Sequence, residues 1–253
     1  MKEIDILKAS KFYSEMLDSF ASSAKIDVDY SATNVSKAIY FHVVKMKYAG
    51  WKHRVNFNRF KKYTSAELFQ DIVAFYLKAI LPSHYQLELE RKVNKSQPDI
   101  AIYIDGKCVF IIEVKTSIGW QRPAYKSEDP YVDFRNRVNQ LSNDFSIPRQ
   151  NILYIFEDHG NVGVRFSSKF WDRKNHRPIM LRPQDFPYSI IYPLFNGTDP
   201  SYWEKNTIDR KKEYLDISDA QILEAASKNI VFPFEKIVEL LMERIDNFLL
   251  PNV

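Results

Sequence analysis

The chain has 253 residues, 45% of them hydrophobic and 27% charged, which is typical of a globular protein that buries a sizeable core. Its formal net charge of +4 is only a weak indication of a polyanionic partner. Cys108 is the only cysteine, which excludes disulfides, cysteine-based zinc sites and iron–sulfur clusters, and a reducing cytoplasm is expected. Apolar runs are too short to predict a membrane span, the polar N-terminus does not predict a secretory signal, and no nucleotide-cofactor motif is evident.

The N-terminal part is predicted to be helical and basic. Apolar residues at helical spacing predict helices over residues 3–24 and 36–48. Residues 31–65 contain no acid, and aromatic side chains such as Tyr40, Tyr48 and Trp51 are interleaved with eight basic ones. This mixture suits a phosphate backbone with exposed bases, although it also fits a solvated face over an aromatic core. The eight basic residues are Lys37, Lys45, Lys47, Lys52, Arg54, Arg59, Lys61 and Lys62, and the last five are the predicted nucleic-acid contacts.

The middle of the chain alternates between segments with helical periodicity and segments with strand periodicity. A third helix is predicted over residues 65–81, ended by Pro82, and three strands follow over residues 85–93, 100–104 and 108–115. An amphipathic helix over residues 130–145 precedes Pro148, and further strands are predicted over residues 151–156 and 162–166. The order of helix, three strands, helix and strand predicts a mixed α/β layer.

The C-terminal part is predicted to be irregular first and then helical. Residues 165–182 are basic, with Arg173 and Lys174 as further candidate nucleic-acid contacts, and one strand is predicted at residues 188–192. Ser218 and Gln221 predict a capping box, and Pro233 suits the first turn of a last helix. That helix carries an apolar stripe that fits either a dimer interface or the protein's own core. Its members are Ile237, Leu240, Leu241, Ile245, Phe248 and Leu249.

These elements predict one domain in three segments. Residues 1–63 form an N-terminal helical and basic extension, residues 64–195 form the core, and residues 196–253 form a C-terminal helical segment.

Charged residues interrupt the stretch QPDIAIYIDGKCVFIIEVKT, residues 97–116. Strand alternation places Asp99, Glu113 and Lys115 on one face of the hairpin, at one end. The other face takes Ile100, Ile102 and Ile104 from the first strand and Cys108, Phe110, Ile112 and Val114 from the second. Two converging carboxylates make a hard oxygen site for Mg²⁺ or Mn²⁺, and a lysine beside them can orient water or stabilise phosphate charge. An ordinary ion-paired strand end is the alternative.

The turn of this hairpin has a geometric consequence. A regular two-residue loop at Asp105 and Gly106 would place Asp99 opposite Ile112 and on the face away from Glu113. We therefore expect a positive φ at Gly106 together with an odd-numbered loop or a β-bulge.

Pro98-Asp99 and Glu113-Val114-Lys115 resemble the signature of the PD-(D/E)xK nuclease superfamily, over about residues 64–166. The resemblance implies a restriction-endonuclease-like core, which is a helix, a three-stranded antiparallel meander, a helix and a strand, here with helical additions at both ends. It implies that Asp99, Glu113 and the Val114 carbonyl bind Mg²⁺, for which Mn²⁺ can substitute, and that Lys115 is the catalytic lysine.

The resemblance also implies accessory residues. Relatives add a glutamate from the preceding helix, for which Glu67 is the candidate and Asp71 the substitute, although Glu67 can also complete a capping box with Thr64. Gln140 corresponds to a glutamine near the site in some relatives, although a solvated helix face is the alternative. Basic and amide side chains suited to the substrate backbone are Arg135, Arg137, Gln121 and Arg122.

The expected activity is that of a Mg²⁺-dependent endonuclease acting on double-stranded DNA, of type II restriction or related anti-phage defence, as a possible homodimer. The alternatives are a structure-specific resolvase or DNA-repair nuclease, and a nucleic-acid-binding protein without catalysis. HNH chemistry is disfavoured, because the five histidines, including His176, have no paired metal-ligand spacing.

Overall fold

The computed structural model describes residues 35–55, 66–115, 132–158, 171–172, 177–178, 190–196 and 217–250. The helix predicted over residues 3–24 and the strand over residues 162–166 lie outside these ranges. So do seven of the candidate contact residues: Arg59, Lys61, Lys62, Gln121, Arg122, Arg173 and Lys174.

The described residues form a mixed α/β structure with five α-helices. The helices are α1 (Val35–Val55), α2 (Ala66–Ile80), α3 (Val132–Phe145), α4 (Asp219–Asn229) and α5 (Phe234–Leu249), with a short 3-10 helix at Arg149–Asn151. The strands are β1 (Gln86–Leu89), β2 (Ile100–Ile104), β3 (Lys107–Lys115), β4 (Ile152–Asp158), β5 (Trp171–Asp172), β6 (Arg177–Pro178) and β7 (Ile190–Asn196). The predicted elements that fall within the described ranges are present, and β1 is shorter than the strand predicted there.

Five strands form one sheet in the order β1-β2-β3-β4-β7. The first three strands are antiparallel neighbours, whereas β3, β4 and β7 run parallel to one another. The carboxyl ends of β3 and β4 therefore lie at the same edge of the sheet as the amino end of β2. Among the described strands, β1 and β7 lie at the two edges of the sheet, and an edge position tolerates the Pro193 of β7.

Both faces of the central strands β2, β3 and β4 are buried. On one face, Ile100, Ile112 and Ile155 belong to a core that also includes residues of α1, α2, α4 and α5. On the other face, Ile111 and Tyr154 pack in a second cluster with residues of α3. Residues 108–114 of β3 are buried without exception, because each side of the strand meets a layer of helices.

A β-bulge interrupts the hairpin of β2 and β3. Ile104 pairs with Lys107 and Tyr103 with Cys108, but Ile102 pairs with Phe110, so Val109 is the extra residue. Asp105 and Gly106 both have positive φ, at 50° and 76°, as a two-residue type I′ hairpin turn requires. The prediction of a positive φ at Gly106 with a compensating bulge is therefore confirmed. The Asn151 side-chain amide donates to the Val109 carbonyl at 2.9 Å, which binds a backbone group at the bulge.

The bulge corrects one predicted side-chain position. Cys108 was expected on the same face as Phe110, but it lies with Tyr103 in the second cluster, and Val109 takes the place beside Phe110. Simple alternation fails here because the bulge inserts its extra residue between Cys108 and Phe110. Burial raises the pKa of the Cys108 thiol to about 12, so the thiol is protonated and unreactive at neutral pH.

The C-terminal helices begin close to the predicted residues. Ser218 and Gln221 form the predicted capping box, with the Gln221 N–H donating to Ser218 Oγ at 3.3 Å and the Ser218 N–H to Gln221 Oε1 at 2.9 Å. Pro233 is the N-cap of α5, one residue before the predicted position. Ile237, Leu241 and Ile245 of the apolar stripe are fully buried against the protein's own core, which favours the core interpretation over the dimer interface.

The basic stretch in α1 is partly a core element. Tyr40, Tyr48 and Lys47 are buried, and the Lys47 ammonium forms an ion pair with Glu157 of β4. The burial of Tyr40 and Tyr48 fits the alternative of an aromatic core beneath the basic residues, and Lys47 belongs to that core rather than to a solvated face. Lys52 and Arg54 fall in the last turns of α1, where the structure describes only the backbone. None of the helices in the described part of the chain is both long and apolar enough to cross a membrane.

Candidate active site

Three predicted site residues meet at one edge of the sheet. Ile100 and Ile112 are the last pair of the β2–β3 ladder, and Asp99 and Glu113 come one residue beyond it on each strand. The Val114 backbone N–H donates to Asp99 Oδ2 at 2.6 Å, which fixes the aspartate carboxylate against β3. The hairpin register thus brings together two carboxylates that are fourteen residues apart in the sequence.

Lys115 bridges these two carboxylates. Its Nζ donates to Asp99 Oδ2 at 2.9 Å and to Glu113 Oε2 at 3.1 Å. Burial disfavours the ammonium, but the charges of Glu113 and Asp99 outweigh this and raise the pKa of Lys115 above its ordinary value. Lys115 is therefore held in this structure as a cation that donates hydrogen bonds.

Glu113 is the most buried charge of the site, with its side chain 5% exposed. Its second oxygen, Oε1, accepts a hydrogen bond from Arg137 Nη2 of α3 at 2.8 Å. On β4, Tyr154 is the register partner of Glu113, and burial together with the Glu113 charge raises the pKa of Tyr154 well above its ordinary value. Two cations and a protonated phenol therefore surround a carboxylate that would be costly to bury alone.

The backbone of Asp99 is anchored by α2. Its carbonyl accepts hydrogen bonds from the Gln70 side-chain amide at 3.0 Å and from the Glu90 N–H at 3.2 Å, and Pro98 before it is buried. Gln70 was not among the predicted site residues. The only signal for it was its place one turn after Glu67 on the helix that precedes the sheet.

The accessory candidates lie around this centre. Glu67 and Asp71 are exposed on α2, but partial desolvation of the Asp71 carboxyl, followed by the charges of Glu90 and Glu67, raises the pKa of Asp71. Gln140 is exposed on α3, one turn after Arg137, and Arg135 is half-buried on the same helix. The predicted roles of Glu67, Asp71, Gln140 and Arg135 remain predictions.

The donor set at the site consists of two carboxylates. Within the ranges that the structure describes, no group of three or more His, Cys, Asp or Glu side chains is arranged to hold a metal ion. Two carboxylates nevertheless fit Mg²⁺, which retains several waters and uses one or two protein carboxylates together with substrate phosphate oxygens. The Val114 carbonyl remains the predicted additional ligand.

Comparison of the chain with protein-family models, with curated proteins and with solved structures finds no match in any of the three. The candidate site therefore rests on its own geometry and on the short motif that carries the resemblance.

Proposed function

We propose that the protein is a divalent-metal-dependent endonuclease with a restriction-endonuclease-like core. The observation that carries the proposal is the meeting of Asp99, Glu113 and Lys115 within hydrogen-bond distance at one sheet edge. The order α2, β1 to β3, α3 and β4 agrees with the order of elements in the superfamily that the motif resembles.

The proposal separates the metal ligands from the catalytic lysine. Asp99 and Glu113 hold the metal ion, with the Val114 carbonyl as a further ligand. The ion, when bound, neutralises phosphate charge and lowers the pKa of its water ligand. Lys115, charged and fixed by both acids, donates hydrogen bonds to the developing charge on the phosphate rather than accepting a proton.

The alternative, an ordinary ion pair at a strand end, explains the contacts of Lys115 but not the burial. Exposed ion pairs contribute little to stability, and burying charged groups costs desolvation free energy that packed apolar residues would avoid. A buried glutamate with two cationic partners at the end of an otherwise apolar strand therefore favours a functional site.

Double-stranded DNA is the proposed substrate, and type II restriction or related anti-phage defence is the proposed role. The support is the acid-free basic stretch of residues 31–65, which continues past the buried part of α1. A structure-specific resolvase or DNA-repair nuclease is the second candidate, because the same catalytic site would serve branched DNA.

Two-strand cleavage is most simply achieved by a homodimer, which supplies two sites related by a two-fold axis. Because the buried part of the α5 stripe contacts the protein's own core, the proposed dimer would use another surface. The molecular mass in solution, with and without DNA, tests this: a dimer on DNA is expected, and a monomer under both conditions would refute dimerisation.

The activity is tested on supercoiled plasmid, linear duplex, a four-way junction and single-stranded RNA. Conversion of plasmid to linear product with Mg²⁺ or Mn²⁺, abolished by EDTA, is the expected result. Preferential cleavage of the junction would favour the resolvase. Binding without cleavage under every metal condition would instead support the non-catalytic alternative.

A further inference from the structure

Both carboxylate oxygens of Glu113 are bound by cationic side chains. Lys115 Nζ lies 3.1 Å from Oε2, and Arg137 Nη2 lies 2.8 Å from Oε1. The Arg137 guanidinium also donates to the Gln97 carbonyl at 2.8 Å, just before the Pro98-Asp99 segment. Arg137 therefore stands between the two chain segments that carry the site carboxylates.

We propose that Arg137 is an internal cation that competes with the divalent ion for Glu113, so that metal binding requires release of the Arg137–Glu113 ion pair. This inference rests on the proposed function, because it takes Glu113 as a metal ligand. A divalent ion bound by the Glu113 carboxylate would repel a guanidinium that is hydrogen-bonded to the same carboxylate.

Arg137 is better placed to move than Lys115. Lys115 is on β3 itself and contacts both acids, whereas Arg137 reaches the site from α3 and contacts only one of them. The same nitrogen, Nη2, donates to Glu113 and to the Gln97 carbonyl, and the Gln97 contact can keep the side chain at the site after Glu113 is lost as a partner. The planar fork of arginine then favours a bidentate partner such as a phosphate.

The competition predicts coupling between metal and nucleic acid. In the absence of nucleic acid, the released guanidinium has no new anionic partner. Metal binding must then separate an ion pair whose glutamate is almost fully buried, and this lowers the affinity of the protein for the metal ion. With a phosphodiester at the site, Arg137 gains a new anionic partner, and the metal affinity rises by linkage.

The test measures Ca²⁺ binding by calorimetry, since Ca²⁺ is a hard oxygen-seeking ion that permits binding measurements without relying on cleavage. Arg137→Gln is expected to tighten Ca²⁺ binding about tenfold, the change produced by removing roughly one ion-pair's worth of competition. Arg137→Lys keeps the charge without the fork and should give an intermediate affinity. Arg91→Gln is the matched control, because it removes the same charge from a surface pair with Glu88 and should leave the affinity unchanged.

The outcomes separate this inference from the proposed function. If Glu113→Gln abolishes Ca²⁺ binding while Arg137→Gln leaves it unchanged or weaker, Arg137 does not compete and the inference is wrong, but the metal site stands. If the wild type and Arg137→Gln bind neither Ca²⁺ nor Mn²⁺ at millimolar concentration, even with duplex DNA, the proposed metal site itself fails. Should Arg137→Gln fail to fold, Arg137→Lys decides, since an unchanged affinity there would also overturn the inference.

Discussion

Glu113 is the buried carboxylate that both cationic side chains of the site contact. It is nearly inaccessible to water, both of its oxygens accept hydrogen bonds from cations, and the buried Tyr154 is its register partner on β4. Because an uncompensated buried carboxylate is strongly unfavourable, each partner of Glu113 affects the stability as well as the chemistry of the site. Variants of this cluster should therefore be nearly isosteric, such as Glu113→Gln and Asp99→Asn, to separate the two effects.

The Asp71 carboxyl gives a prediction at the scale of a single residue. Burial and the charges of Glu90 and Glu67 raise its pKa in the folded state above the value of 3.8, so ionisation of Asp71 opposes folding as pH rises through that range. Asp71→Asn should therefore increase the free energy of unfolding at pH 7, by less than about 1 kcal/mol because the group is exposed. The gain should vanish below pH 3.8, where the carboxyl is protonated in both states.

Urea unfolding at pH 7 and pH 3 measures this effect. Glu224→Gln is an opposite control, since the hydrogen bond and charge of Lys228 lower the pKa of Glu224 and its replacement should remove stability at pH 7. A loss of stability at pH 7 in Asp71→Asn would mean that Asp71 has a favourable partner in the folded protein.

At the scale of elements, the β2–β3 hairpin shows how much of the side-chain arrangement strand alternation can predict. The alternation of side chains along the two strands required a bulge or an odd-numbered loop if Asp99 and Glu113 were to share a face. The bulge is present. Alternation could not predict which residue would form the bulge. Cys108 and Val109 therefore lie on the opposite faces from those predicted. The position of the bulge depends on tertiary contacts that no local sequence pattern encodes. One of them is the hydrogen bond from the Asn151 side-chain amide to the Val109 carbonyl.

The contact between α1 and β4 depends on a buried ion pair. The side chains of Lys47 and Glu157 are 1% and 0% exposed, so removing one partner leaves a buried charge without its counter-ion. Lys47→Met should therefore destabilise the fold by about 3–5 kcal/mol, and the double variant Lys47→Met/Glu157→Leu should recover most of the loss.

The matched control is Lys45→Met. Lys45 lies on the same helix and pairs with Asp219 at 2.7 Å, but in an exposed setting. Lys45→Met should lower the free energy of unfolding by less than about 1 kcal/mol. Chemical unfolding of the four proteins measures these differences, and equal effects of Lys45→Met and Lys47→Met would contradict the structural role of the buried pair.

At the scale of the whole molecule, segments distant in the sequence share one core. Residues of α1, α4 and α5 pack on the same sheet face as α2, so the described parts of the three predicted segments are not separate cores. Helix positions and the capping box at Ser218 were predictable from local periodicity and end signals. Lys47 was not recognised as a core residue, because its burial depends on Glu157, which is 110 residues away. The Arg137–Glu113 pair escaped prediction for the same reason, since no periodicity links α3 to β3.

The basic stretch gives a prediction for the whole molecule. Replacing Lys52, Arg54 and Arg59 together with glutamine should weaken DNA binding and reduce the slope of log affinity against log salt by about one unit per lost phosphate contact. Exposed residues elsewhere, Lys78, Lys228 and Lys236, make the charge-matched control. Fluorescence anisotropy over a range of salt concentrations measures the slope, and identical slopes for the two triple variants would assign no DNA contact to the stretch.

The most direct test of the proposed catalytic site is single-turnover cleavage of duplex DNA in Mg²⁺ by the wild type and four single variants. Asp99→Asn and Glu113→Gln should each lower the cleavage rate by at least about a hundredfold, and Lys115→Met should do so while DNA binding is retained. Glu88→Gln, which removes a surface glutamate paired with Arg91, should cleave as the wild type does. Wild-type cleavage rates in folded Asp99→Asn and Glu113→Gln would contradict the assignment of this sheet edge as the catalytic site.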